Sequence, residues 1–197
     1  MYRCLFGPED LSNLLETDFL SCHNPQAPAE WFLNLYEDKD FPDEVTRAQY
    51  HDLMTYLPDD LMVKTDTASM ACSLEVRGPF LDHNLVEAGL SLPLGLKLNT
   101  RRGKLLLRQA FADLLPRQVL NRPKRGFGVP LGRWLREDLA STVKETLLDK
   151  SFLGLGIFRP KAIETLICQH VNGLADHRHR IWALLFLGRW LAMHRQK

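Results

Sequence analysis

Apolar residues recur at helical spacing along most of the chain. Tyr50, Leu53, Met54 and Leu57 follow the i, i+3, i+4, i+7 pattern, which places them on one face of an amphipathic helix that Pro58 should end. The same period predicts further helices over residues 8–20, 29–35, 61–74, 83–92, 100–115, 134–147, 160–171 and 179–194. The period-two alternation of half-buried strands is absent. We therefore expect a mainly α-helical fold with little or no sheet, forming a single domain over residues 1–197.

Three details of the pattern carry expectations of their own. Asp82 directly precedes the helix predicted over 83–92 and is expected to cap it. The apolar side of the helix over 100–115 is expected to face inward, through Leu106, Ala110, Phe111 and Leu114. Near the end of the chain, the stripe at helical spacing is interpreted as core rather than as a stacking platform, through Trp182, Phe186 and Trp190.

Composition places the chain among folded globular proteins. It has 197 residues, of which 45% are hydrophobic and 25% charged. An apolar run long enough to span a membrane is absent, and the first ten residues do not resemble a signal peptide, so we expect a cytoplasmic location. The four cysteines lack CxxC spacing, which favours reduced thiols and no zinc site.

Charge is distributed unevenly along the sequence. Residues 1–60 carry three basic residues against thirteen acids, whereas residues 101–136 carry ten basic residues against Asp113 alone. A basic segment of this kind can hold phosphates, contact nucleic acid or pair with the acidic N-terminal third. We expect no nucleic-acid partner, and the other two alternatives remain open at this point.

Two segments contain more charge and glycine than turns require. In residues 122–130, Arg122, Lys124 and Arg125 occupy three of four positions directly before Gly126 and Gly128, a pattern suited to phosphate because cations meet a backbone that can approach closely. Residues 63–82 form the other segment, which contains Asp66. By spacing alone, the first segment is explained equally by a surface turn, and Asp66 by a helix-surface carboxylate or by a partner for Lys64. Neighbouring His177 to Arg180 do not share a helix face, so no metal site is predicted.

The order of several motifs resembles one enzyme family. Leu74-Glu75-Val76-Arg77 and Arg122-Pro123-Lys124-Arg125-Gly126-Phe127-Gly128-Val129-Pro130 are two of them. The others are residues 56–66, 68–71, 79–83, 103–104, 107–108 and 115–116. Together they resemble the C-terminal part of the synthetase, or ATP pyrophosphatase, domain of glutamine-hydrolysing asparagine synthetases and their amidotransferase relatives. The likeness is densest over residues 50–139.

This resemblance implies ATP-dependent amide formation through an acyl-adenylate, with ammonia derived from glutamine and with magnesium and ATP bound in the complete enzyme. Lys124 matches the family's active-site lysine, and Asp66 matches an acidic residue of the active-site polar network. Arg122 and Lys104 are candidate phosphate ligands, although Lys104 could equally face the acidic segment. The fold implied is the helical C-terminal half of an α/β domain of the adenine-nucleotide α-hydrolase type.

The departures from the family's pattern concern the ATP cradle and the glutaminase. The serine-glycine-glycine-x-aspartate-serine pyrophosphate loop and the later glycine-rich acidic motif are absent, and Cys4 is not an N-terminal nucleophile. Thr67 and Gly78 also differ from the residues usual in the family. We therefore expect a chain that is inactive alone and requires an N-terminal synthetase half and a glutaminase domain, in the same gene or on a separate chain. The alternative is an inactive helical binding or scaffold module that kept the fold.

Overall fold

The computed structural model describes residues 5–37, 40–123 and 128–194. Within these ranges the chain is mainly helical and contains no strand, apart from isolated bridges that pair Leu15 with Phe158 and Leu98 with Gly103. The expectation of a mainly helical chain with little or no sheet is confirmed for this part of the protein. No helix in the described ranges is both long and apolar enough to cross a membrane.

The helices follow one another with short connections. In chain order they are α1 (Pro8–Leu14), α2 (Thr17–Cys22), α3 (Ala27–Glu37), α4 (Glu44–Met54), α5 (Val63–Met70), α6 (His83–Ser91), α7 (Leu94–Lys97), α8 (Leu105–Ala110), α9 (Arg117–Leu120), α10 (Leu131–Arg136), α11 (Ala140–Leu147), α12 (Lys150–Leu153), α13 (Pro160–Val171) and α14 (Arg178–His194). A π-helical segment over Leu57–Met62 precedes α5, and a 3₁₀ turn over Pro79–Leu81 precedes α6.

Contacts divide the chain into two compact units. One unit combines Met1–Trp31 with Gly126–Lys197, and we call it the split unit; Phe32–Arg125 form the other, called the central unit. The prediction that residues 1–197 form a single domain stays a prediction.

The split unit contains the hydrophobic core. Fully buried side chains from α10, α11, α13 and α14 meet there, namely Leu135, Val143, Leu147, Ile163 and Ile181. Burying one such side chain contributes roughly 1.5–3 kcal/mol to folding, so these helices hold the unit together.

Two helices that were predicted as continuous are interrupted in the structure. Hydrogen bonds to distant residues interrupt one of them, and a local backbone hydrogen bond interrupts the other. The helix predicted over 8–20 ends at Leu14, because the Arg159 amide donates to the Leu14 carbonyl (2.9 Å) and the Glu16 amide donates to the Ile157 carbonyl (2.9 Å). The helix predicted over 134–147 is interrupted between α10 and α11, where the Leu139 amide donates to the Trp134 carbonyl at 2.7 Å, a wider turn than the α-helical one.

The interpretation of the C-terminal aromatic stripe as core is wrong for Phe186 and Trp190. Phe186 and Trp190 of α14 are 60% and 52% exposed, while the opposite side of the helix is buried through Ile181 and Leu184. Trp182 is partly buried against the core and its ring lies 4.8 Å from that of Phe186. Two of the three rings therefore lie at the surface of the split unit, while Trp182 borders its core.

The central unit differs because its buried side chains, within the described residues, are polar: Thr46, His51 and Thr55. The apolar side of the 100–115 segment that was expected to point inward is exposed: Phe111 and Leu114, which follow the end of α8, are 39% and 74% exposed. Phe80 and Leu74 are exposed as well. The expected inward face of the 100–115 segment is thus corrected: the central unit presents its apolar side chains at the surface.

Candidate functional site

Asp66 lies in α5, whose first turn continues directly from the π-helical segment. Pro58, expected to end a helix, instead occupies the start of that segment, where its missing amide hydrogen costs no bond. The Asp66 carboxylate is exposed, while its backbone carbonyl accepts a hydrogen bond from Ser69 Oγ (3.2 Å). Thr65 Oγ1 donates to the Leu61 carbonyl (2.8 Å). The Asp66 carboxylate is therefore accessible at the surface of α5.

The end of α5 is a tight left-handed turn. Ser73 has φ 55°, its amide donates to the Met70 carbonyl (2.9 Å), and the Leu74 amide donates to the Ser69 carbonyl (3.0 Å). This pair of bonds is the Schellman arrangement that reverses a chain after a helix. Residues 75–78 then continue without helical structure.

Glu75 and Arg77 form an exposed ion pair (2.8 Å) with each other. The following turn is closed by its own backbone, since the Leu81 amide donates to the Gly78 carbonyl (2.9 Å). Among the described residues, hydrogen bonds and ion pairs connect these two side chains only to one another.

The predicted cap of α6 is confirmed. Asp82 Oδ1 accepts hydrogen bonds from the amides of Asn84 (3.0 Å) and Leu85 (3.2 Å), and α6 begins at His83 as expected. The turn and helix that follow α5 are therefore fixed by local bonds.

Lys104 is positioned by a tight turn that the hydrophobic pattern did not indicate. Asn99 Oδ1 accepts from the amides of Arg101 (2.9 Å) and Arg102 (2.8 Å), and Leu98 pairs with Gly103 across the turn. Lys104 then adopts φ 59° at the start of α8, a left-handed conformation that is uncommon for residues other than glycine. Such strain tends to accumulate at functional sites, and here it accompanies an exposed cation.

One hydrogen bond connects the segments that carry the two candidate phosphate ligands. Arg102 donates from a terminal guanidinium nitrogen to Asn121 Oδ1 (3.1 Å). Arg102 lies two residues before Lys104 in the sequence, and Asn121 directly precedes Arg122. Arg122 is exposed, like Lys104. Sequence reasoning missed Arg102 and Asn121, because a contact across nineteen positions leaves no periodic signal.

The remaining predicted site residues are not brought together by the contacts described. Lys124 lies outside the described residues. Within those residues, no hydrogen bond or ion pair joins Asp66 to Lys104 or Arg122. The roles assigned to these four side chains stay predictions.

Polar contacts in the central unit also connect Lys97 of α7 to α4 and to the end of α6. Lys97 Nζ donates to the Leu90 carbonyl (2.9 Å) and lies within reach of Gln49 Oε1 (3.4 Å). The N-terminal cap of α4 is Asp43, whose pKa is lowered chiefly by the hydrogen bond that the Thr46 amide donates to it. The carboxylate is thus kept ionised, and the positive N-terminal end of the α4 dipole stabilises its negative charge.

The described residues contain no group of three or more histidine, cysteine, aspartate or glutamate side chains close enough to hold a metal ion. The groups of the central unit that a ligand can reach are the exposed carboxylate of Asp66 on α5 and the exposed cations of Lys104 and Arg122, whose segments are connected by a hydrogen bond. Chemically, such cations can contact phosphate oxygens, and such a carboxylate can orient a cation or share a metal with groups from elsewhere.

Comparison with known proteins places these features in a family. The family model described as asparagine synthase matches residues 8–194. A putative glutamine-hydrolysing asparagine synthetase of Mycobacterium tuberculosis is 36% identical over 157 residues, covering 77% of this chain and 23% of that protein. Asparagine synthetase 1 of Bacillus subtilis is 32% identical over 154 residues, covering 78% of this chain and 24% of that protein. The Gallus gallus enzyme is 37% identical over 101 residues.

These relatives are much longer than the present chain, which spans about a quarter of the length of the curated bacterial proteins it matches. No solved structure matches it significantly. Because the family model covers nearly every residue, the chain belongs to the asparagine synthase family.

Proposed function

We propose that the chain is the C-terminal portion of a glutamine-hydrolysing, asparagine-synthetase-like amidotransferase. The observation that carries the proposal is the family match over residues 8–194, which extends on both sides of the candidate site. The helical architecture supports assignment to the helical half of an α/β synthetase domain, whose sheet would belong to the other half.

In the proposed reaction a substrate carboxylate attacks ATP, releasing pyrophosphate and leaving an acyl-adenylate. Ammonia from glutamine then displaces AMP and forms the amide. Most of the catalysis expected in such a reaction comes from positioning and from fixed charges where negative charge develops. Lys124 would stabilise that developing charge, and Asp66 would orient the cation.

ATP and magnesium are proposed for the complete enzyme. Lys104 and Arg122 fit contacts to phosphate, because both are exposed and the bond from Arg102 to Asn121 connects their segments. Magnesium would supply charge neutralisation for the phosphates. The chain contains no pyrophosphate loop, so the backbone amides that cradle the phosphates would come from the N-terminal part.

The apolar surface of the central unit supports the proposed partner. Large exposed apolar side chains, such as Phe80, Leu74 and Leu114, are typical of surfaces that another protein element covers. We propose that this surface packs on the N-terminal synthetase half, which would lie in the part of the longer relatives that this chain does not match. The glutaminase domain would supply ammonia from the same or a separate chain.

The test is carboxylate-dependent exchange of labelled pyrophosphate into ATP. The purified chain alone should give no exchange, and addition of the N-terminal part of the Mycobacterium tuberculosis relative should restore it. The N-terminal part alone is the matched control. Exchange by the isolated chain would contradict the proposed division of labour, whereas an assembled complex without nucleotide binding would favour the scaffold alternative.

A further inference from the structure

The split unit contains a cavity that the proposed reaction does not use. It has a volume of about 520 Å³ and opens between α1, α13 and the start of α14. This volume falls within the range of small-molecule sites, which is about 300–1,000 Å³. Its apolar lining comes from Phe6, Leu14, Ala162 and Leu166.

The charged lining has an excess of two positive charges. It contains Arg159, Lys161 and Arg180 against the single carboxylate of Asp10. Arg180 forms an ion pair with that carboxylate, in which Nη2 donates to Asp10 Oδ2 (2.6 Å), and it also donates from Nε to the Leu5 carbonyl (2.8 Å). The Asp10 charge is thus compensated within the lining itself.

The other two cations remain available to a ligand. Arg159 makes one long side-chain hydrogen bond, to Thr17 Oγ1 at 3.4 Å, which leaves most of its guanidinium donors unused. Within the described residues, Lys161 makes no ion pair. Both lie at the N-terminal end of α13, where the helix dipole also favours an anion.

The neutral polar groups of the lining do not oppose an anion. His177 contacts Gln169 Oε1 through Nε2 (2.7 Å), which fixes Nε2 as the donor. Burial, together with Arg180 and His170, lowers the pKa of His177, so the ring is neutral at pH 7. Thr165 Oγ1 donates to the Lys161 carbonyl (2.7 Å) and is occupied within α13.

We propose that this cavity binds a small organic phosphate ester with an apolar body. The dianionic head matches the two uncompensated charges, and the guanidinium fork of Arg159 and the ammonium of Lys161 can share its oxygens. The body then covers Leu14 and Leu166. The site belongs to a different unit from Asp66, Lys104 and Arg122, so it is independent of the proposed function.

Phenyl phosphate is a suitable probe, with inorganic phosphate and phenol as probes of the head and the body alone. In a titration of the ¹⁵N-labelled full chain followed by amide resonances, phenyl phosphate should cause saturable shifts confined to α1, residues 159–169 and residues 177–180. Its binding should be at least about tenfold tighter than that of either comparison compound, as expected when head and body bind together.

Lys161→Ala tests the assignment of the head. Binding of phenyl phosphate should weaken by about tenfold or more, the loss expected for one charge-assisted hydrogen bond. Lys144→Ala, an exposed lysine of α11 outside the cavity lining, should bind like the original chain. Lys161→Gln serves as a second variant if the alanine chain loses its dispersed amide spectrum.

Three results would overturn the proposal. Shifts centred on residues outside the cavity would place the ligand elsewhere. Equal affinity for inorganic phosphate or phenol would remove the need for a joint site. Unchanged affinity in both Lys161 variants would show that the cation does not contact the head.

Discussion

Lys104 illustrates how a residue's surroundings add to what its position in a motif suggests. The motif made it a candidate phosphate ligand, and the structure adds an exposed side chain on a left-handed backbone at the start of α8. The turn that holds it depends on Asn99 Oδ1 accepting from two backbone amides. The motif indicated the chemistry of this residue, whereas the backbone conformation follows from a short-range bond that periodicity does not report.

Lys124 carries the first prediction, for the assembled enzyme. Lys124→Ala should lower turnover by about 100-fold or more while leaving folding nearly intact, the scale of losing one fixed charge where negative charge develops. Lys124→Arg should rescue poorly, because a planar guanidinium does not reproduce a compact ammonium. Steady-state rates and melting curves provide the measurement.

Arg125→Ala is the matched control for this series and should change turnover little. Near-normal turnover in Lys124→Ala would show that the basic loop is a surface feature rather than part of the catalytic machinery.

Leu147 carries a prediction about stability. Its side chain is fully buried in the core of the split unit, so Leu147→Ala should lower the free energy of unfolding by about 2–5 kcal/mol. Leu174→Ala, at a leucine that is 76% exposed, should change it by less than about 0.5 kcal/mol. Urea denaturation followed by circular dichroism measures both, and equal effects would contradict the location of the core.

At the scale of elements, the sequence predicted helices well where their ends are set locally. The helix over 160–171 has the bounds expected, because Pro160 opens it and its apolar period continues to Val171. The helix over 8–20 is broken by bonds to residues 157–159, and periodicity contains no information on such distant partners. The period also shows which face of a predicted helix is apolar but not which surface covers that face, so the inward side of the 100–115 segment was misassigned.

The connection between α13 and α14 should make stability depend on pH. The folded-state pKa of His177 lies below its ordinary value of 6.5, mainly because of burial. At His177 the unfolded chain therefore binds more protons than the folded chain below pH 6.5, so the contribution of this residue to stability is lost as the pH falls through its folded-state pKa. The free energy of unfolding should fall on acidification from about pH 6.5, as measured by urea titrations at a series of pH values.

His177→Gln should flatten this dependence, whereas His179→Gln, at an exposed position of α14, should retain it. A His177→Gln chain with the same slope as the original would assign the pH dependence to other groups.

At the scale of the whole molecule, the two units differ in what they bury. The split unit has an apolar core, while the central unit exposes large apolar side chains along the segments that carry the candidate site. The family resemblance therefore located the site in the sequence, but the contacts of the described residues do not assemble it. The physical reason proposed above is that the groups and the surface completing it belong to the remainder of the enzyme.

The exposed apolar surface should cause self-association of the isolated chain. Sedimentation velocity should show an average mass that rises with concentration, and Phe80→Glu with Leu114→Glu should reduce that rise by placing charge on the surface. Leu174→Glu, in the split unit, is the matched control and should leave the association unchanged. A chain that stays monomeric at all concentrations would contradict this interpretation.

Transfer of labelled nitrogen is the most direct test of the central claim. The chain is combined with the N-terminal part of the Mycobacterium tuberculosis relative and supplied with ATP, magnesium, aspartate and glutamine labelled with ¹⁵N at the side-chain amide. Mass spectrometry should detect ¹⁵N-asparagine in the mixture and none with either part alone. Absence of labelled asparagine from a mixture in which the two parts copurify would contradict aspartate as the acceptor, and absence of any carboxylate-dependent pyrophosphate exchange as well would contradict the assignment of the chain to such an enzyme.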